Sequence, residues 1–232
     1  MQEHHSIHVR LGAFALGLSA LLFTLFPLVR PFFPLDPTAP ATTLTVASPA
    51  ITSAAWVGSH LSLMLAFVLL LYGMLTLYTH LANGHGAPRA FRAMVLSLAG
   101  IALILPMLGV ETHILPIIGT LYLAGQTDIA PAVSLIYHGP ALAVFLVGLI
   151  LLAVGAMTFA VTIWHSETLP RWAGVLFAIG LSLWFPPFPR VIRTLDGFAI
   201  GIGGIWLAWH IWNRHRTSPA GASVYAALHT GD

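Results

Sequence analysis

The chain has 232 residues, of which 58% are hydrophobic and 7% charged, against roughly 25% charged in an average soluble domain. Nine basic and seven acidic side chains cannot clothe a water-facing surface of this size, so lipid is the outer solvent and a soluble fold is excluded. Every basic residue is Arg, scattered singly or in pairs at segment ends, so the net charge of +2 reads as membrane topology and excludes a nucleic-acid partner.

The absence of Lys removes the amine of a retinal Schiff base. The absence of Cys removes disulfides, thiolate metal sites, Fe–S clusters and c-type haem attachment. Any redox chemistry would need a cofactor held by other ligands.

A hydrocarbon slab about 30 Å thick needs about 20 apolar residues in a helix. The first segment that fits is Leu11 to Val29, preceded by Met1 to Arg10. It has the length of a long signal-peptide core, but no small-x-small cleavage site follows directly, so a retained first span is expected. Pro31 to Ser53 holds Pro31, Pro34, Pro37, Pro40 and Pro49 and is expected to be an external loop without helical periodicity.

The second span is predicted from Trp56 to Leu81 and the third from Arg89 to Val110, joined by the turn Asn83 to Pro88 and therefore antiparallel neighbours. After Glu111-Thr112-His113 the chain stays apolar to Ala124 across Pro116 and Gly119, which suits either a kinked continuation or an interfacial segment. The fourth span runs from Val133 to Trp164, the fifth from Trp172 to Phe185 with a stop at Pro186-Pro187-Phe188-Pro189, and the sixth from Leu195 to Trp212.

The expected fold is thus all-α, an integral membrane helical bundle of about six transmembrane helices over residues 1–216, with a polar tail at 217–232. Arg10, Arg89, Arg92, Arg171, Arg214 and Arg216 fall on one side and Arg30, Arg190 and Arg193 on the other. That bias places both termini in the cytoplasm of a bacterial cytoplasmic membrane. Trp56, Trp164, Trp172, Trp184, Trp209 and Trp212 near span ends read as an interfacial belt.

Pro88-Arg89-Ala90-Phe91 and Pro170-Arg171-Trp172 open two spans, with His60 and His138 standing 28 and 32 residues earlier. A weak internal repeat of two helical hairpins would produce this pattern.

His60, Glu111, His113 and His138 all fall at the same predicted outer boundary. Ionisable groups there are costly and usually find partners inside the bundle. Imidazole and carboxylate are the ligand types for a transition metal such as Fe, Cu or Zn when thiols are absent. The four residues are therefore the candidate metal ligands, and His60 with His138 the candidate axial pair for a haem.

Residues two apart on a regular helix lie about 200° apart. Glu111 and His113 therefore cannot both point inward unless the helix breaks near Pro116. The plainer reading is that interfacial histidines are comfortable at a headgroup and that Glu111 pairs with His113, Arg190 or Arg193 to fasten helices.

His4, His5, His8, His80, His85, His165 and His215 receive no chemical role, and Met64 and Met74, ten residues apart, are expected to pack rather than to bind copper. Gly197, Gly201 and Gly204 form a small-residue face on the sixth span, for packing within the bundle or for a homo-oligomer or larger membrane complex. Asp196 is expected to cap that helix or pair with Arg193.

Gly109-Val110-Glu111-Thr112-His113-Ile114-Leu115-Pro116 and Leu169-Pro170-Arg171-Trp172-Ala173-Gly174-Val175-Leu176 resemble a loose group of small uncharacterised bacterial polytopic membrane proteins. The resemblance covers about the last two thirds of the chain, implies a helical membrane architecture and brings no activity with it. Where such proteins tend to have Ala or an aromatic after the Glu, this chain has Thr112-His113.

The functions that follow are a metal- or haem-binding site at the outer face with a redox role, an accessory or lipid- or quinone-binding bundle, or a small-molecule transporter. Membrane lipids are partners in every case.

Overall fold

A computed structural model describes residues 2–33, 40–82, 84, 86–184 and 189–214. Asn83 and His85 of the turn after the second span, Phe185 and the Pro186-Pro187-Phe188 stop, His215, Arg216 and the tail 217–232 lie outside the described residues, as do the side chains of His4 and His5.

The elements are α1 (Gln2–Val29), α2 (Pro40–Ile51), α3 (Ala54–Leu81), α4 (Ala87–Gly109), a π-helical turn (Val110–Ile114), α5 (Leu115–Leu123), a 3₁₀ turn (Thr127–Ile129), α6 (Ala130–His138), α7 (Pro140–Ser166), α8 (Arg171–Leu183) and α9 (Arg190–Arg214). Among the described residues five helical stretches are long and apolar enough to cross a membrane: Ile7–Val29, Ala54–Leu81, Ala87–Leu123, Thr127–Ser166 and Arg190–Arg214. The expected fifth span is present as α8, but its 13 residues reach only about 20 Å, short of the slab.

The long helices are apolar on every side. On α7, Phe145, Leu149, Leu152, Ala156 and Phe159 face the core, while Val147, Ile150, Val154 and Met157 are exposed. Exposed leucine and valine in such numbers need a lipid solvent.

Helices α1, α3, α4, α7, α8 and α9 pack in that order around a common core, and α9 closes the ring against α1. Small residues set the two closest seams. Between α4 and α7 a Cβ on Gly100 would lie 2.5 Å from Leu152 N and 2.7 Å from Gly148 O, and one on Gly155 would lie 2.8 Å from Ser97 N.

Between α1 and α9, Gly197 lies against Phe23 O and Pro27, Gly201 against Thr24, and Gly204 against Ala20 and Phe177 of α8. Thr24 Oγ1 donates to Gly197 O at 2.9 Å across this seam. Gly197, Gly201 and Gly204 thus pack against α1 and α8 of the same chain.

Two segments differ from expectation. Pro31 to Ser53 contains helix α2, because Pro40 occupies its first position, where a missing N–H costs nothing, and Pro49 falls in its last turn. Leu44, Ala47, Ser48 and Ile51 are buried at helical spacing. The predicted fourth span is broken at Gly139, whose extended backbone separates α6 from α7.

The stretch after Glu111 resolves as a continuation of α4 through the π turn into α5. It stops at Gly125, whose φ of +93° suits glycine, with Gln126 N–H bonded to Leu121 O and Gly125 N–H to Tyr122 O.

Helices α2, α5 and α6 form a second apolar layer in which Leu44, Ala47, Ile51, Leu115, Ile118, Ala130 and Val133 meet Trp56 of the bundle. This layer adjoins one end of the ring, called here the polar end.

Candidate functional site

Ser53 caps α3, its hydroxyl accepting from Trp56 N at 3.2 Å, and so fixes the turn that carries Trp56, Ser59 and His60. His60 is fully buried. Its Nδ1 lies 2.8 Å from Trp56 O. A carbonyl can only accept, so Nδ1 carries the hydrogen and Nε2 is left to face Glu111 Oε2 at 3.3 Å.

Two lone-pair atoms at that distance repel. A proton on either atom, with a small turn of the side chains, would make the contact a hydrogen bond. The contact is off-axis, and Nε2 has no linear hydrogen-bond partner.

The π turn places Glu111. Leu115 N–H bonds to Val110 O, five residues back, and Pro116 has no N–H to give to Glu111 O. The indole of Trp56 supplies that donor, with Nε1 2.9 Å from Glu111 O. Tyr137 of α6 donates to Glu111 Oε1 at 3.2 Å. The Glu111 side chain keeps 18% of its surface exposed, so this group opens the site outward.

Aromatic rings surround the pair. Trp56 lies over the His60 ring at 4.2 Å between centroids, and Phe26 meets that ring edge-on at 5.4 Å. Arg30, just past the end of α1, sits 4.6 Å from the Trp56 ring and 5.1 Å from that of Phe32. Burial pushes its guanidinium below the ordinary arginine value, partly offset by Glu111 and Tyr137. Arg193 is buried among Phe26, Trp184 and Phe32 at 5.5, 5.8 and 6.0 Å.

Of the expected ligands, His60 and Glu111 are brought together. His113 is exposed, so of the two residues it is Glu111 that turns inward. His138 is also exposed, because its neighbour Tyr137 takes the direction toward Glu111 and successive helical residues differ by about 100°.

The axial pair expected for haem thus combines a fully buried residue within α3 and an exposed one closing α6, positions that are not equivalent in two hairpins. Among the described residues no three His, Asp or Glu side chains stand together as a metal centre would need. Asp196 lies in the second turn of α9, past the cap position, and its Oδ2 is buried without a hydrogen-bond partner.

Sequence reasoning missed Trp56, Tyr137 and Arg30 as members of the site, while Arg193 entered it as a possible partner of Glu111. Trp56 is one helical turn before His60, a spacing that could have found it. Trp56 and Trp184 are buried, unlike the exposed Trp164, Trp172 and Trp209, so these two do not suit an interfacial belt.

No known protein family, curated protein or solved structure matches this chain. The structure defines a polytopic helical membrane protein with five candidate spans among the described residues.

Proposed function

We propose that this protein binds a lipid-soluble amphiphile, a lipid or a quinone, whose polar head exchanges a proton with the His60–Glu111 pair at the outer face of a bacterial cytoplasmic membrane. The observation that carries the reading is the 3.3 Å contact between Nε2 of the buried His60 and Oε2 of the partly exposed Glu111, in which Nε2 has no linear partner. Such a pair at a span end can give a proton to a carbonyl or phosphate oxygen and take it back, with Tyr137 steadying the carboxylate. Trp56 and Phe26 offer the apolar walls that a ring or chain would lie against.

The topology assigned is six spans with cytoplasmic termini. Gly174 near the start of α8 lies against Ile163 near the end of α7, and Gly180 lies against Asp196 and Ile200 near the start of α9. The short α8 therefore runs antiparallel to both and carries the chain back to the polar end. Arg10, Arg89, Arg92, Arg171 and Arg214 mark the opposite, cytoplasmic end.

Coupled transport is disfavoured because it needs ionisable groups near the midplane, and those of this site gather at one end. Among the described residues a transition metal would find two side chains together here, His60 and Glu111, where a protein zinc centre ordinarily supplies three or four.

The test is lipid analysis by mass spectrometry of protein purified in mild detergent. One amphiphile class should be enriched over bulk lipid in the wild type and fall by about tenfold in Glu111→Gln and His60→Phe, the loss expected for one polar contact. Identical profiles in all three proteins would overturn the reading, and a Soret band or stoichiometric metal lost in His60→Phe would replace it with a cofactor site.

A further inference from the structure

We propose that Trp56 is the positioning residue of the His60–Glu111 pair, holding the imidazole through its own carbonyl and the turn that carries the carboxylate through its indole N–H. The functional consequence rests on the amphiphile reading. The geometry does not.

Trp56 meets the pair in three ways. Its carbonyl oxygen lies 2.8 Å from His60 Nδ1 and accepts from it, which leaves Nε2 as the ring nitrogen facing Glu111. Its indole lies over the imidazole at 4.2 Å between centroids and closes one face of that ring. Its Nε1–H donates to the main-chain carbonyl of Glu111 at 2.9 Å.

The last of these decides the role. A carbonyl inside a helix takes its hydrogen bond from the N–H four residues on, or five in a π turn. For Glu111 the four-residue donor is Leu115, whose N–H goes to Val110 O instead, and the five-residue donor is Pro116, which has no N–H. The indole therefore takes the place of a backbone donor that the sequence withholds. A turn that lost this support would be free to return to four-residue spacing, which changes the direction of side chains at the junction by about 100° for each residue of shift. Glu111 stands at that junction.

Trp56 is itself held firmly. Ser53 caps the first turn of α3 and accepts from the Trp56 main-chain N–H. The side chain is almost fully buried, with Phe33 at 5.5 Å between ring centroids and the Arg30 guanidinium at 4.6 Å. The 3.3 Å approach of Nε2 to Oε2 is off-axis, and hydrogen bonds weaken steeply with angle. The residue that sets both partners thus sets how well the pair hands on a proton.

The experiment uses the full chain in mild detergent and two readouts. One is the carboxylate stretching band of Glu111 in the infrared spectrum, identified by its loss in Glu111→Gln. The other is the enrichment of an amphiphile class by mass spectrometry. Trp56→Phe keeps a ring over His60 and removes the N–H. Benzothienylalanine at position 56 keeps the size and shape of the indole with sulfur in place of N–H, and so tests the donor even where the smaller ring fails to fold. Both should shift the Glu111 band and lower enrichment by about fivefold to tenfold. Pro116→Ala supplies the missing backbone N–H. Alone it should leave both readouts at wild-type values, and added to either change at position 56 it should restore them, which it could not do for a tryptophan that served only as bulk.

Wild-type band and enrichment in both position-56 variants would overturn the inference, and so would losses that Pro116→Ala fails to recover. Enrichment lost in Glu111→Gln but kept in both position-56 variants would overturn it and leave the amphiphile reading standing. A band that moves with the changes at position 56 and returns with Pro116→Ala, in a protein that enriches no amphiphile, would keep the positioning role and overturn that reading.

Discussion

The middle of the bundle and its polar end are built on opposite rules. Away from the polar end, α4 meets α7 through Ala93, Ser97, Gly100, Gly148 and Gly155, and α1 meets α9 through Ala20, Gly201 and Gly204. At the polar end, bulky rings and ionisable groups fill the space instead. Lipid tails are as apolar as leucine, so burial of apolar surface does not drive these helices together and close backbone approach must. Stability is thus concentrated in the glycine seams. The polar end spends desolvation energy on His60, Arg193 and Asp196, all buried, and that is where function is to be sought.

The sharpest way to break this comparison is to fill a seam. Leucine at Gly100 would drive its Cβ to 2.5 Å from Leu152 N, a backbone atom that cannot turn aside. Overpacking of this kind costs about 3 kcal/mol or more. Gly100→Leu should be the most damaging substitution, read as a loss of folded fraction during titration with sodium dodecyl sulfate. An unfolding midpoint at the wild-type value would mean that the seam is not where stability lies.

At the polar end, His60→Ala should cost about 2 kcal/mol, less than the usual penalty for breaking a buried pair, because Glu111 is partly exposed and can hold the proton itself. Combined with Glu111→Gln in a double-mutant cycle, the two should couple by about 1 kcal/mol. Strict additivity would show that the 3.3 Å contact carries no energy. Removal of a single hydroxyl in Tyr137→Phe should cost about 1 kcal/mol, and should lose that effect when Glu111 is already Gln.

The two regions were unequally legible. Span positions follow from hydropathy, because an apolar run in lipid must be helical to satisfy its backbone, and five of the expected spans fall in stretches long and apolar enough to cross a membrane, the fourth with a break at Gly139. Helix α2 was hidden by reading Pro40 and Pro49 as breakers when they occupy the first position and the last turn.

At the site, the boundary argument correctly placed His60 and Glu111 at one end. It could not say that His113 and His138 turn away, because that depends on the π turn and on the break at Gly139. Arg30 reads only as a topology marker, because charge counting takes no account of where a side chain folds back, while Arg193 also stood as a partner for Glu111 or Asp196. Their partners Phe26, Phe32 and Trp184 are ordinary apolar residues until the helices assemble.

The smallest effect tests the comparison from its other side. If close packing rather than glycine itself is what the seams need, a glycine outside them should be replaceable. Gly58 lies exposed in the second turn of α3, one turn past the Ser53 cap, and a Cβ there would meet nothing within 4 Å. Alanine is better than glycine inside a helix by up to about 1 kcal/mol. Lipid around the helix reduces that gain, since the unfolded reference in a membrane already holds much of its helical structure. Gly58→Ala should therefore leave stability unchanged or raise it by about 0.5 kcal/mol, in the same detergent titration that shows Gly100→Leu to be damaging. Because Gly58 is two residues from both Trp56 and His60, this variant also reports on the site. A loss of stability there would mean that the first turns of α3 tolerate no added bulk, and the division between a tightly packed middle and a polar end free of such constraint would fail.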